Sequence, residues 1–449
     1  MSRVARVCTA GWAGRVARVC TAGLTVLVVA ACTSTPPTAT QVPGTGAATT
    51  TRPGTATPGT PGTATPGTSL SPVPVPVQGG GRPALPATPA ACAQPPADTD
   101  DIRATKATSG WRVVSTDEGY GQLRDLAVGR DGAVWATHLT QRLTAESVET
   151  AFAGLRRWDG KGWKSYPLPS VQVTALSATS AASAWVFGLA DGRTGLVGAF
   201  QNDTWAARRL TGRLGDTFGA GGTAARGAWA VSGTSALWWT GSTWQHHDLP
   251  APAGAVGGGS GSGGGSGNSG GGKRGGDVWT VSGPLIDQGP AARWDGEAWQ
   301  RVGVPALGPP AKAESPRGRL NDVVVLGPAD VWVVGGVSWL VPGEFTKDNE
   351  PLERSRPVAL HWDGGQWQCR WGALGSTFTQ AEPDGQDGMW VLDSMGSRLL
   401  HLSRGRWTSQ ALDGVIDALA QRPGTSQVYA AGSSNPEKGL TRAVLWRTR

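Results

Sequence analysis

Six times in this chain an aromatic residue or leucine is followed five positions later by tryptophan: Trp158/Trp163, Phe200/Trp205, Trp239/Trp244, Trp294/Trp299, Trp362/Trp367 and Leu402/Trp407. Three of these copies read Trp-Asp-Gly-x-x-Trp. Between them runs a second motif, an aromatic on a strand of small and apolar residues, at Trp135, Trp185, Trp229, Trp279, Trp332, Trp390 and Tyr429, with copies 39 to 58 residues apart. A two-motif unit recurring about every 50 residues specifies a radial array of four-stranded sheets. The expectation is an all-β chain, a seven-bladed β-propeller over residues 110–449.

Each unit opens with a strand such as Leu123 to Val128, Val173 to Ala178, Val323 to Leu326 or Ile416 to Ala420, and a polar loop leads to the motif strand. The alternation of apolar and small residues suits a sheet packed on both faces. The Asp-Gly pair turns the third strand into the fourth, and tryptophans five apart then face each other across the hairpin. Eighteen of the 22 tryptophans fall on this repeat, with Trp446 in the place of the last unit's first hairpin aromatic, so tryptophan here is read as packing. The last unit stops at Arg449 before a fourth strand, while Gly110 to Val114 is a fourth strand with no hairpin before it. The N-terminal strand is therefore expected to complete the last blade and remove two open edges.

Ahead of the repeat lie two other regimes. Residues 1–31 carry Arg3, Arg6, Arg15 and Arg18 and then an apolar stretch from Leu24 to Ala31, too short for a membrane span of about 20 residues and suited to a signal-peptide core. The nine residues from Arg3 recur from Arg15, which points to a small duplication or to a start site placed too far upstream. Residues 32–109 are rich in Thr, Pro, Ala and Gly, with Pro53 to Thr60 repeated at once as Pro61 to Thr68. Such a segment cannot bury enough surface to offset its ordering entropy, and is read as a disordered tether reaching on the order of 100 Å. Its Thr/Pro density suits either O-glycosylation or a plain spacer.

The formal charge of +7 shrinks once the four leader arginines are set aside, leaving 36 basic against 33 acidic side chains. No basic stripe runs through the repeat, which argues against nucleic acid as a partner. Of five cysteines, Cys8 and Cys20 lie in the leader. Cys92 and Cys369 form an even pair that an oxidising compartment could join.

The residues Val29-Ala30-Ala31-Cys32 resemble the bacterial lipobox, which implies a diacylated Cys32 and anchorage to the extracytoplasmic face of the cell membrane, with the head in or beyond the wall. A soluble secreted protein cleaved near Ala31 is the competing reading. The segment Arg130-Asp-Gly-Ala-Val-Trp-Ala-Thr137 resembles a strand of two-component-regulator propellers and streptogramin B lyases. The overall unit, Asp-Val-Trp-x-Val-Gly followed by Trp-Asp-Gly-x-x-Trp, is most similar to the β-propeller lipoproteins of actinobacteria over residues 110–449. That resemblance implies a fold and no particular activity.

Chemistry-bearing residues are sparse. His361 and His401 occupy equivalent strand positions in different units, and no hydrolase, zinc or phosphate-loop motif occurs. His138, just beyond the first motif strand, is the histidine that a lyase-like site would use. A column of Asp125, Thr174, Asp322, Thr379 and Asp417 stands 10 to 12 residues before the motif aromatics, where it should ring the channel mouth. Its carboxylates suit a hard cation such as calcium. The competing reading, which we adopt, makes each a hydrogen-bond partner of backbone. Insertions at Thr140 to Ala153, Ser338 to Pro357 and Val304 to Gly318 are expected to share one face of the disc, the Gly/Ser run 257–276 the other. The functional expectation is a non-enzymatic surface module for an extracytoplasmic protein or cell-wall glycan; the alternative is a lyase or hydrolase with an axial site.

Overall fold

The computed structural model describes residues 90–449 apart from 97–98, 145–146, 169–170, 191–193, 202, 210–218, 224–226, 241–242, 259–276, 285, 397 and 435–439. Cys32, the signal peptide, the tether up to residue 89 and most of the Gly/Ser run lie outside the described residues. Residues Pro86–Arg449 fall in one unit, and the second unit, Ala17–Leu85, is wholly outside them.

The described residues contain strands and no helix. β1 (Thr105–Lys106) and β2 (Trp111–Val128) precede β3 (Val134–Leu143), β4 (Val148–Trp158) and β5 (Trp163–Tyr166). Then follow β6 (Val171–Ser180), β7 (Ser183–Ala190), β8 (Thr194–Gln201) and β9 (Thr204–Arg209), and next β10 (Gly219–Thr223), β11 (Gly227–Trp239) and β12 (Trp244–Ala253). β13 (Ala255–Gly258), β14 (Val278–Val281), β15 (Ala291–Trp294) and β16 (Trp299–Val302) make another sheet, as do β17 (Glu314–Gly327), β18 (Asp330–Phe345), β19 (Pro351–Trp362) and β20 (Trp367–Trp371). β21 (Phe378–Pro383), β22 (Met389–Asp393), β23 (Arg398–Ser403) and β24 (Arg406–Ala411) are followed by β25 (Val415–Gln421), β26 (Val428–Ser434) and β27 (Arg442–Thr448).

Apart from β1, which runs parallel to β24, and β2, which joins β27 to β3, the strands of each sheet run up and down in sequence order. Within β11, Trp229 and Trp238 stack at 5.6 Å and 7° although nine residues of straight strand would span about 30 Å. The chain therefore folds back at Gly233, whose φ is 55°, and β11 supplies two arms of its sheet. β2 also serves twice: Trp111 to Tyr120 pairs with β27, and Gly121 to Val128 pairs with β3. The innermost strands pack side by side, β2 on β6, β6 on β10, β10 on β13, β13 on β17, β17 on β21, β21 on β25, and β25 on β2. This is a β-propeller.

The aromatic repeat explains the packing. All six hairpin pairs face each other in register, from Trp158 opposite Trp163 to Leu402 opposite Trp407. In the five all-aromatic pairs the rings lie 5.2 to 5.7 Å apart, inclined by 51° to 53°. The Asp-Gly turns close by one device: Asp159, Asp295 and Asp363 each accept two following backbone N–H groups on Oδ1, while Gly160, Gly296 and Gly364 take positive φ. Each motif aromatic then wedges into the hairpin aromatics of the next sheet. Trp135 meets Phe200 and Trp205, Trp185 meets Trp239 and Trp244, Trp229 meets Trp294 and Trp299, and Trp279 meets Trp362 and Trp367. Trp332 meets Trp407, Trp390 meets Trp111, and Tyr429 shares a cluster with Trp158 and Trp163. The register corrects one assignment: Trp111 lies opposite Thr448, and Trp446 opposite Val113.

Two further expectations change. Residues read as the end of the tether are packed: Cys92 and Ile102 are buried, Cys92 bridges Leu307, and β1 runs parallel to β24. The physical reason is a partner far along the chain, the buried Arg356, whose guanidinium donates to the carbonyls of Pro95, Pro96 and Thr99 and to Asp100. Cys92 and Cys369 are joined as a disulfide with Cα atoms 5.9 Å apart. The insertions after Thr140 and Ser338 are also more ordered than loops, because they extend the β3–β4 and β18–β19 hairpins, whose pairing continues to Leu143–Val148 and Phe345–Pro351.

Trp279, 0% exposed, sits 6.2 Å from each of Trp362 and Trp367. Trp279→Ala should lower stability by about 3–5 kcal/mol. A double-mutant cycle of Trp279 and Trp367 in denaturant unfolding should return a coupling of about 0.5–1.5 kcal/mol; strict additivity would mean the two indoles stabilise independently.

Candidate functional site

The axial column separates into two registers. Thr174, Thr379 and Asp417 are bulge residues, each skipped in the pairing of its inner strand with the second strand. Thr174 and Thr379 repeat one geometry, their hydroxyls donating at 3.3 Å to the carbonyls of Phe187 and Leu392 on the second strand. In β17 the skipped residue is Asn321, so Asp322 stands one place further on, opposite Val334. Asp125 lies beside Thr137, whose hydroxyl donates to its Oδ2 at 3.1 Å. Adjacent strand residues point to opposite faces, so a one-residue offset prevents the five side chains from forming one ring. Among the described residues no three His, Cys, Asp or Glu side chains gather closely enough to hold a metal ion.

The structure shows a different axial feature, a lacing of side chains from one inner strand to the backbone of the next. Asp322 accepts the Ala381 N–H at 3.0 Å, and Asn321 donates to the Phe378 carbonyl at 2.5 Å. Gln380 holds Leu419 by both backbone groups, at 2.8 and 2.9 Å, and Glu382 accepts the Gln421 N–H at 3.4 Å. Inner strands have a free edge facing the channel, and these contacts satisfy its N–H and C=O groups. Gln380 and Glu382 were missed from sequence because the column was chosen by its offset from the motif aromatic, which the bulges shift. Surrounding protein pushes the Asp322 carboxyl up to about 7, and desolvation with the nearby Asp322 charge pushes Glu382 up to about 8.

His138 is buried on β3, with Asp117 at 3.5 Å and Arg156 pairing with the same carboxylate. Desolvation and the Arg156 charge hold its pKa below the usual histidine value, with Asp117 pulling the other way. Its charged neighbours are thus Asp117 and Arg156, rather than the column carboxylates. His361 and His401 each close a separate Asp-His-Trp stack: His361 lies 2.9 Å from Asp330 and 4.3 Å from Trp332, and His401 lies 2.9 Å from Asp384 and 4.1 Å from Trp390. Both stand directly opposite a motif aromatic. Arg157, Arg293 and Arg447 hold that position in other sheets, over Trp135, Trp279 and Tyr429. A cationic or imidazole face on the motif ring is thus part of the repeat.

The two ends of the sheets differ in chemistry. Because strands alternate in direction, first-to-second and third-to-fourth connections lie at one end, second-to-third and sheet-to-sheet connections at the other. The first end holds the Asp-Gly turns. The second holds Tyr120, Leu143, Phe152, Phe345, Met395 and Val415, so every exposed large apolar side chain among the described residues except Val113 is there. Leu143, Phe345 and Met395 are 55%, 59% and 58% exposed, and the first two crown the long hairpins. No tryptophan of the described residues is exposed to this degree.

No family model and no curated protein matches the chain. Three solved structures are similar to it at low identity. One is YCF48 bound to D1 peptide, at 12% identity over 77% of this chain and 98% of that one, TM-score 0.43. Another is the Cps50 (Swd1) β-propeller domain of Myceliophteria thermophila, at 12% over 75% and 99%, TM-score 0.42. The third is the β-propeller domain of the Trilobed protease from Pyrococcus furiosus, described as having an open velcro topology, at 8% over 73% and 93%, TM-score 0.42. These likenesses say nothing of what this chain binds.

The carboxyls of Asp322 and Glu382 bind protons more tightly in the folded chain than near pH 4, where unfolded carboxyls titrate. Their contribution to stability is therefore complete below about pH 4 and is lost as pH rises through 7 to 8. Glu382→Gln keeps an acceptor for Gln421 and should match wild type at pH 4 while gaining about 1–3 kcal/mol at pH 8, a figure reduced for the partial solvent exposure of the channel. Urea unfolding at the two pH values measures it, and an equal effect at both would show that Glu382 does not titrate in this way.

Proposed function

We propose that the chain is a non-enzymatic surface lipoprotein whose seven-bladed propeller, closed by the N-terminal strand, binds an extracytoplasmic protein through the face carrying the second-to-third strand hairpins. The observation that carries this reading is that, among the described residues, every exposed large apolar side chain but Val113 lies on that face. Soluble proteins scatter such residues singly, and their concentration on one face marks an interaction surface. Aliphatic side chains with Phe and Tyr, and no exposed tryptophan platform among the described residues, favour a protein partner over a glycan. The pairing of β2 with β27 and the packing of β25 on β2 support closure through the N-terminal strand.

The address rests on the sequence of residues 1–32, a basic region and apolar core ending in Ala-Ala-Cys. A lipid on Cys32 would hold the tethered head outside the membrane.

Cross-linking on intact cells tests the face. Leu143→Asp combined with Phe345→Asp should abolish capture of a specific protein that the wild-type chain retains, with Tm unchanged, while Lys161→Glu on the Asp-Gly face should leave capture intact. Equal capture by all three chains would overturn the reading. The anchor has a separate test. Cys32→Ser should appear in the medium or as an unprocessed precursor, and normal processing with retention in the membrane fraction would exclude lipidation at that residue.

A further inference from the structure

The described residues between Cys92 and Tyr120 form a strap laid over the outside of two sheets before the chain becomes an outer strand of a third. Cys92 starts it, with its N–H on the Ala306 carbonyl at 2.9 Å and its own carbonyl accepting from Gly308 at 3.1 Å. Arg356, 1% exposed, then gathers the carbonyls of Pro95, Pro96 and Thr99 and the Asp100 carboxylate, while its Nε donates to Gly372 at 2.9 Å. Asp101 and Ile102 donate to the Trp371 carbonyl, each at 2.9 Å, and Trp371 donates back to the Asp101 carboxylate at 3.0 Å. β1 adds two residues of parallel pairing with Thr408 and Ser409, and Gly110 donates to Gln410 at 2.9 Å before β2 begins.

These contacts follow one another along the chain. A pull on the chain ahead of residue 92 would load them one at a time, as a zipper is opened, and the last contact in that series is the β2–β27 pairing. The Cys92–Cys369 disulfide comes before all of them. Cys369 sits in the middle of β20, which pairs with β19 from Val358 to Trp362. We propose that the Cys92–Cys369 bridge is a strain-relief clamp. It passes tension from the chain ahead of Cys92 into the β17–β20 sheet and leaves the strap and β2 unloaded, while Arg356 keeps the slack strap seated. The same sheet carries the long β18–β19 hairpin with Phe345 at its crown. Tension between the membrane and a partner bound there would cross one sheet and bypass the closing strand.

The inference rests on the tethered-head reading for its purpose, but its test does not depend on lipidation. The full mature chain is held in an optical trap between a handle at its N-terminus and one inserted at Asp348 in the β18–β19 turn, oxidised and after dithiothreitol. The oxidised chain should show no early release. The reduced chain, and Cys369→Ser measured alongside it, should yield at lower force with an added extension on the order of 100 Å, the extended length of the strap and first half of β2. An early extension of that size in the oxidised chain, or its absence from both reduced and Cys369→Ser chains, would overturn the clamp. Failure of the anchor reading would instead appear in the fractionation of Cys32→Ser and would leave this comparison unchanged.

Discussion

The insertion of each motif aromatic between the hairpin aromatics of the following sheet is the interaction on which the remaining structure depends. A four-stranded sheet of this size has too little surface to be stable alone, and both faces of its small, apolar second strand need cover. The wedge supplies that cover in one direction. Trp135 reaches Phe200 and Trp205, and five sheets later Trp390 reaches Trp111. A buried indole contributes several kcal/mol of area-dependent stabilisation, at about 25 cal/mol per Å², and a smaller geometric term from edge-to-face contact. Because every wedge points the same way, the last motif aromatic needs the first hairpin, and Tyr429 finds Trp158 and Trp163. Trp111 has a special place: it replaces the hairpin tryptophan that the last sheet lacks, which makes the first half of β2 part of the same series.

The axis follows another rule. Where the rim is held by aromatic burial, the inner strands are held by polar side chains reaching the next strand's backbone, as Asp322 reaches Ala381 and Gln380 reaches Leu419. These are the residue types that would line a cation site, and residue type alone does not separate the two uses. Geometry does. An unpaired strand edge presents N–H donors that require acceptors, and a carboxylate already accepting one or two of them has less to offer a metal ion. Burial holds the carboxyls of Asp322 and Glu382 above the usual carboxylate range, while the backbone N–H groups they accept from pull the other way.

The hairpin pairs were legible in the sequence because five-residue spacing around Asp-Gly leaves one register, and an aromatic at both ends marks it. The motif strands were legible for a similar reason. The inner strands were not, because a bulge displaces side chains by one place without altering composition; Asn321 is the counterpart of Thr379, and Asp322 that of Gln380, on this account. The strap was illegible for a different reason. Its Pro, Ala, Asp and Thr content gives little to bury, and what fixes it is the guanidinium of Arg356 acting on backbone carbonyls more than 250 residues away in sequence. Backbone acceptors leave no mark in a sequence. Cys92 was the visible sign that the segment had a fixed place.

The concentration of apolar side chains at one end follows from the wedge. The third-to-fourth strand turn cannot lengthen without separating the two aromatics that receive the preceding motif ring, and Asp159, Asp295 and Asp363 hold it at its short length. No such receiver depends on the second-to-third connection, whose strands can continue outward in register, as β3–β4 and β18–β19 do. Sheet-to-sheet connections are free in the same sense. Long paired hairpins and exposed apolar chemistry are therefore found at that end, where Leu143, Phe345 and Met395 are carried on scaffolding already fixed by the core beneath them. The packing rule that seats each motif aromatic thus also decides at which connections the hairpins are free to extend.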